Sequence, residues 1–462
     1  MERLRRIQDL PGPRGLPLLG NLLQVERASL HLAAERWSRQ YGDCFTFRMG
    51  PRRILVLANP EAIAAVLRDR PDGFQRVARI AEISKEMGFT GVFSANGDAW
   101  RRQRPMVMAS FDPAHIKTYF PGLAKVTERF ARRWRRAAEA GEWIDLQADL
   151  MRYTVDVTAG LAFGTDINTL ESDQEVIQSH LDKIFPSLFR RLMAPFGYWA
   201  WLENRKLGKH LAALHGAVAQ FIAQARARMD ANPELREKPT NLLEAMIGAR
   251  DTPGSGVDDA DVAGNVLTML LAGEDTTANT LAWMIYLLYR HPDALRQARA
   301  EVLARPSALQ KYEDATALPF IDACINETMR LKPVAPIILL QPIHDTVVGG
   351  VEIPARTVVM CLMRVGATDE RHFPEPQSFD PSRWISAVSA SSAKRVAMPF
   401  GAGPRLCPGR YLALLEMKMV MAMLLSRFEI ESVGTPDGRE AREHLAFTMA
   451  PVGLRLKLKQ RS

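Results

Sequence analysis

Cysteine is scarce in this chain of 462 residues: Cys44, Cys324, Cys361 and Cys407 stand far apart, and no two form a C-x-x-C pair. That spacing argues against a disulfide framework and a zinc knuckle, and it fits a reducing cytoplasm. Long hydrophobic runs are missing as well. The stretch from Met1 to Arg6 and beyond holds neither an apolar segment able to span a bilayer nor a signal-peptide core, so a cytoplasmic protein without a membrane span is expected. No Ser/Gly linker, charge block or repeat divides the sequence. Nor is there a G-x-G-x-x-G pattern for a flavin or nicotinamide, so no fused reductase is expected.

What is present is ordinary for a globular chain, with 47% hydrophobic and 24% charged residues, enough for a sizeable core. One large helical domain over residues 1–462 is expected, its first 20 residues a Pro/Gly-rich segment with Pro11, Gly12, Pro13, Gly15 and Pro17. The net charge is +8. Its cations are dispersed through helical patterns such as Arg132 to Arg136, without a basic tail or nucleic-acid module, so nucleic acid is not expected as a partner. Solvated helix faces, or a patch that docks an acidic protein, account for the excess.

Periodicity predicts a helix over Leu30–Tyr41, a β-hairpin from Cys44–Met49 and residues 53–58 turned at Gly50-Pro51, and a helix over Pro60–Arg68. Residues 74–96, mixed in polarity and dotted with glycine, read as a mobile lid or loop. From Leu123 to about Arg228 the pattern is helical, with interruptions at Gly141, Gly164, Pro186 and Pro195 and with Phe185, Phe189, Phe196, Tyr198, Trp199 and Trp201 clustered in its second half. From Asp258 to His291 no proline intervenes, acids open the segment and Pro292 stops it. It reads as one helix of roughly 30 residues, ~45 Å long.

Four patterns carry chemistry. Phe400-Gly-Ala-Gly-Pro-Arg405-Leu-Cys407-Pro-Gly409-Arg410 is a Gly/Pro-dense loop feeding a helix N-terminus, where backbone N–H groups, the helix dipole, Arg405 and Arg410 favour a thiolate, either a nucleophile or a metal ligand. Trp100 and Arg104, at i and i+4, put an indole N–H and a guanidinium on one helix face, where both can donate to a carboxylate. The middle of the long helix reads Leu271-Ala272-Gly273-Glu274-Asp275-Thr276-Thr277, acids and alcohols in an apolar run. Glu327 and Arg330, at i and i+3, are followed about fifty residues later by Arg383.

In this order the motifs resemble those of the cytochrome P450 family, and Phe-Gly-x-Gly-x-Arg-x-Cys-x-Gly resembles its haem-binding signature. The resemblance implies a mainly α fold with small β-sheets (α+β), the haem lying between the long central helix and the cysteine-loop helix. It implies haem b (iron protoporphyrin IX) with Cys407 as axial metal ligand. Phe400, Gly409, Ala272 and Gly273 would contact the haem, while Trp100, Arg104 and Arg405 would clamp its propionates. Thr276 is then the alcohol and Asp275 the acid of the oxygen-binding groove. Glu327, Arg330 and Arg383 would be structural.

The implied activity is a haem-thiolate monooxygenase that inserts one atom of dioxygen into a hydrophobic organic substrate. Electrons would come from a separate ferredoxin or flavodoxin with its NAD(P)H reductase, docking near Arg101, Arg102, Lys394, Arg395 and Arg410, and the enzyme would be a monomer. Val92, Phe93, Val334, Ile337, Ile338 and Phe447 are expected to line the pocket. The alternatives are a peroxide-using or isomerising haem-thiolate enzyme and a non-catalytic haem- or ligand-binding protein. Two places depart from the family's pattern: Gln341 stands about where many members have an arginine for a propionate, and Ala367 to Arg371 replace a more usual His-Arg-Asp-Pro.

Overall fold

A computed structural model of the chain describes residues 4–171, 177–194 and 200–461. Helices make up most of it, with four small sheets beside them among the described residues. None of the described helices is long and apolar enough to cross a membrane.

The central helix, Asp259–Arg290, falls within one residue of its expected ends because its ends are chemically marked. Asp258 accepts a bond from the Asp261 N–H at 2.7 Å while the Asp261 side chain accepts from the Asp258 N–H at 3.4 Å, a capping box that satisfies otherwise orphaned donors. Pro292, which opens the next helix, Pro292–Leu303, cannot continue the bonding ladder. The helix is apolar nearly all round and runs through the core, its main neighbour being helix Leu146–Phe163.

A five-stranded sheet lies to one side, in the spatial order Cys44–Met49, Arg52–Leu57, Val358–Leu362, Ile337–Pro342, Phe74–Arg76. Its first two strands are the expected hairpin, and helices Leu30–Tyr41 and Pro60–Arg68 have the expected bounds. In the second of these helices Asn59 caps the Ala62 N–H at 2.9 Å and Pro60 takes the first position, where no N–H is needed.

Three expectations are corrected. Residues 74–96 are not a lid: they contain the strand Phe74–Arg76 and the helix Ala78–Glu86, with Phe89 and Val92 buried. Buried amides hold this backbone, since Asn265 Oδ1 accepts from the Val92 N–H at 2.8 Å and Gln341 Oε1 from the Ala78 N–H at 3.1 Å. Pro186 does not interrupt its helix, which continues over Ile177–Leu192. Ile338 does not share a face with Ile337. Alternation along the strand packs Ile337 against the core that holds the central helix, and Ile338 against Leu55, Leu57 and Cys361 on the other side. Of the expected aromatic cluster, Phe189 is buried; Pro195, Phe196, Tyr198 and Trp199, and the side chains of Phe185 and Trp201, lie outside the described residues.

Candidate haem site

The cysteine loop is built by close backbone packing. Gly403 has a φ of +70°, and a Cβ there would stand 2.6 Å from the Leu67 carbonyl oxygen, so glycine is required where the loop crosses helix Pro60–Arg68. The Cys407 N–H donates to the Phe400 carbonyl at 3.0 Å and closes the loop. Helix Arg410–Arg427 starts immediately beyond, with Gly409 at its N-cap.

Around the sulfur the structure departs from expectation. Burial pushes the Cys407 thiol up, while the Gly409 N–H bonded to the sulfur and the charges of Arg104 and Arg410 pull the other way and are outweighed. Arg104, which donates to the Leu406 carbonyl at 2.5 Å, takes the place expected for Arg405. The helix terminus and two arginines therefore do not suffice to make a free anion, and a neutral buried thiol is a poor nucleophile. A bound cation would complete the deprotonation, which favours metal ligation. Among the described residues no group of three or more His, Cys, Asp or Glu could hold a metal.

Arg405 has turned toward Trp100, with its guanidinium 4.8 Å from that ring's centroid and Nη2 donating to the Ala95 carbonyl at 2.6 Å. It belongs to a group of four arginines with Arg70, Arg76 and Arg104. Burial, then repulsion from Arg70 and Arg104, lowers Arg405 to about 9. Burial lowers Arg70 to about 10, and burial with repulsion from Arg70 and Arg405 lowers Arg76 as well. None of the four is paired with a carboxylate among the described residues, and Arg70 Nε, Arg70 Nη2 and Arg405 Nε have no hydrogen-bond partner there. Clustered buried cations without counter-charge are costly, so the group is built for an anion that is not part of the chain. A ligand with two carboxylates fits it.

Arg70 and Arg76 were missed in the sequence. Arg76 lies on the strand paired with Ile337–Pro342, where the register sets Gln75 opposite Gln341 and Arg76 opposite Leu340. The missing arginine at 341 was itself a signal that another cation had to serve. Gln341 is occupied with Ala78.

On the opposite wall, Ala272 is exposed and Thr276 half-exposed in the middle of a helix whose Leu271, Glu274, Asp275 and Thr277 are buried. The i, i+4 spacing puts Ala272 and Thr276 on one open stripe. Thr276 Oγ1 donates to the Ala272 carbonyl at 2.8 Å, which leaves its oxygen lone pairs free to accept. Gly273 has a further use, because a Cβ there would stand 2.8 Å from Thr158 Oγ1 on helix Leu146–Phe163. Asp275 points away from the stripe into the protein. Its carboxyl is pushed up by burial, against hydrogen bonds from Thr448 and from Asn279 Nδ2, the latter at 2.7 Å.

Glu327, Arg330 and Arg383 meet as expected, with Glu327 and Arg330 fully buried and Arg383 partly exposed. Arg330 Nε and Nη2 each reach Glu327 at 2.7 Å, and Arg383 Nε stands 3.4 Å from Glu327. The remaining donors of Arg330 go to the carbonyls of Ala367, Pro376 and Ser378, and Trp384 Nε1 donates to Glu327 at 2.9 Å. Every polar atom of such a pair must be satisfied for it to persist in the core.

A flat metal macrocycle bearing two carboxylates would use the thiol, the unpaired arginines and the open helix stripe together, and these features place the chain in the class of haem-thiolate proteins. The sequence profile of the cytochrome P450 family matches residues 10–458, and the chain belongs to that family. It is a P450 monooxygenase with a haem-iron cofactor. Cyclooctat-9-en-7-ol 5-monooxygenase of Streptomyces melanosporofaciens is 28% identical over 91% of this chain and 89% of its own length. Cyclooctatin synthase of the same organism is 28% identical over 95% and 94%. Cytochrome P450 3A6 of Oryctolagus cuniculus is 25% identical over 91% and 86%.

Proposed function

We propose that the chain works as a single haem b domain in the cytoplasm, a monomer that oxygenates a hydrophobic small molecule with electrons from a separate ferredoxin or flavodoxin. Bound haem iron supplies the oxygen-activating chemistry. The chain's own residues bind, orient and deliver protons. Cys407 would hold the metal, with Phe400 and Gly409 beside it. Arg76, Arg104, Arg405 and Trp100 would fix the propionates through charge-assisted bonds, and Ala272 and Gly273 would lie against the macrocycle's other face.

The observation that carries this reading is the pairing of Thr276 with Asp275. Thr276 sits on the open stripe with its hydroxyl proton committed to Ala272, so its oxygen can hold a water as acceptor. The preceding residue is an acid whose burial favours the protonated form. Such a pair suits stepwise proton delivery into a water-poor pocket.

Phe93 and Phe447, with ring centroids 5.7 Å apart, and Ile337 would give the substrate pocket an apolar lining, which favours a hydrophobic substrate. The names of the two Streptomyces melanosporofaciens relatives suggest a hydrophobic cyclic alcohol such as cyclooctat-9-en-7-ol as the first compound to test. The exposed Arg102, Lys394 and Arg395 offer cations to an acidic donor protein.

Thr276→Ala is expected to leave haem content normal while peroxide released per NADPH rises severalfold during turnover with a substrate found by its spin-state shift. Unchanged coupling would remove Thr276 from the mechanism.

A further inference from the structure

We propose that the cleft lined by Arg6, Arg52, Arg53, Arg79 and Arg356 is a binding site for a terminal phosphate or diphosphate group. It is separate from the proposed haem site, since none of Arg70, Arg76, Arg104 and Arg405 lines it.

Four elements bring these arginines together. Strand Arg5–Arg6 pairs in parallel with Val351–Ile353 and sets Arg6 opposite Glu352. Arg52 and Arg53 open the second strand of the five-stranded sheet, and Ile54, the next residue, pairs with Val358 at the start of the neighbouring strand. Arg79 stands in the first turn of helix Ala78–Glu86, and Arg356 in the turn that leads into Val358. The space between them is about 750 Å³, room for a small organic ligand.

The charge in this space is unmet. Five guanidiniums face two carboxylates, Glu82 and Glu352. Arg6 and Glu352 approach only to 3.8 Å with both side chains exposed, a weak pair. Arg52, Arg53, Arg79 and Arg356 form no ion pair among the described residues. Arg79 is half-buried, with Nε donating to the Arg191 carbonyl at 3.0 Å. Burial, then repulsion from Arg52, lowers its pKa, with Glu82 pulling the other way. A carboxylate ligand would leave most of the excess uncompensated. A phosphate monoester carries about −1.5 to −2 near pH 7 and a diphosphate more, and their oxygens match the planar fork of a guanidinium.

Arg356 points the same way through its backbone. It has a φ of +63°, the left-handed region that glycine takes without cost and a long side chain does not. The turn is pinned there: the Arg356 N–H donates to the Pro342 carbonyl at 2.9 Å, the Ala355 N–H to Asp345 Oδ1 at 2.8 Å and the Thr357 N–H to the Pro354 carbonyl at 3.2 Å. Glycine would suit this conformation better, so an exposed arginine here costs stability, and its guanidinium at the cleft is what the cost supports.

The test is calorimetric titration of the holoprotein with inorganic diphosphate at low salt. Arg356→Gly should raise the Kd at least about fivefold while melting no lower than wild type, so that lost binding cannot come from lost folding. Arg79→Gln should weaken binding to a similar degree. Arg136→Gln, which removes an exposed arginine outside the cleft, should leave the Kd unchanged. A second arm measures cosedimentation of wild type and Arg356→Gly with phosphatidylcholine vesicles containing phosphatidic acid. Arg356-dependent binding of diphosphate without vesicle binding identifies a soluble phosphate ester as the ligand, and Arg356-dependent binding to the vesicles identifies a lipid headgroup; either supports the site. Binding of neither probe, an unchanged Kd and unchanged cosedimentation in Arg356→Gly, or an equal loss in Arg136→Gln overturns it.

Discussion

The Arg405 guanidinium stacks over the Trp100 ring at 4.8 Å while three other arginines crowd it, and none of the four meets a carboxylate among the described residues. The protein alone is thus strained electrostatically at the place where the proposed haem propionates would neutralise it.

Arg76→Leu should accordingly act with opposite sign on the two forms of the protein. The apoprotein should melt at a higher temperature, because a buried repulsion is removed. The holoprotein should lose haem to a globin acceptor roughly 10- to 100-fold faster, the worth of one hydrogen bond to a charged group. Unchanged haem transfer would mean that Arg76 does not reach a propionate.

Glu416 on the cysteine helix is fully buried, and burial pushes its carboxyl up to about 8 against a hydrogen bond from Thr277. Unfolded, the group titrates near its ordinary 4.5. Between those values the folded protein keeps a proton that the unfolded chain has released, so this group makes stability fall as pH rises from about 4.5 to about 8 and adds no slope below. Glu416→Gln should remove the slope, melting a few degrees above wild type at pH 8.5 with the gap closing toward pH 5. A gap that is constant with pH would show that Glu416 is ionised in the fold.

Pro408 follows Cys407, the proposed ligand, and has no N–H, so of the two residues after the cysteine only Gly409 donates to the sulfur. Hydrogen bonds to a ligating sulfur withdraw electron density and raise the reduction potential. Pro408→Ala should raise the ferric/ferrous potential of the substrate-free enzyme, read by spectroelectrochemical titration. An equal or lower value would mean that position 408 does not face the sulfur.

Much of this site was legible because its signals are local. The cysteine loop is a contiguous run of glycine and proline, and the central helix carries its capping acids and its stop at Pro292 in sequence. Glu327 and Arg330 are three residues apart. The features that escaped are made by tertiary packing. Arg70 and Arg76 become site residues only when strand Phe74–Arg76 pairs with Ile337–Pro342, and Thr448 meets Asp275 across 173 residues of chain. The charge beside Cys407 was misassigned for the same reason: Arg405 is near in sequence, Arg104 in space. Residues 74–96 looked mobile because the amides that hold them, Asn265 and Gln341, lie far along the chain.

The central claim is that Cys407 holds the metal as a thiolate. Cys324 and Cys361 are packed in apolar cores, with burial pushing both thiols up, Cys361 to about 12, so neither is suited to the role. The direct measurement is the reduced-CO spectrum of Cys407→Ser beside Cys324→Ala and Cys361→Ala. The long-wavelength Soret band that an anionic sulfur ligand produces should vanish in the first and persist in the other two; its survival in Cys407→Ser would contradict the assignment.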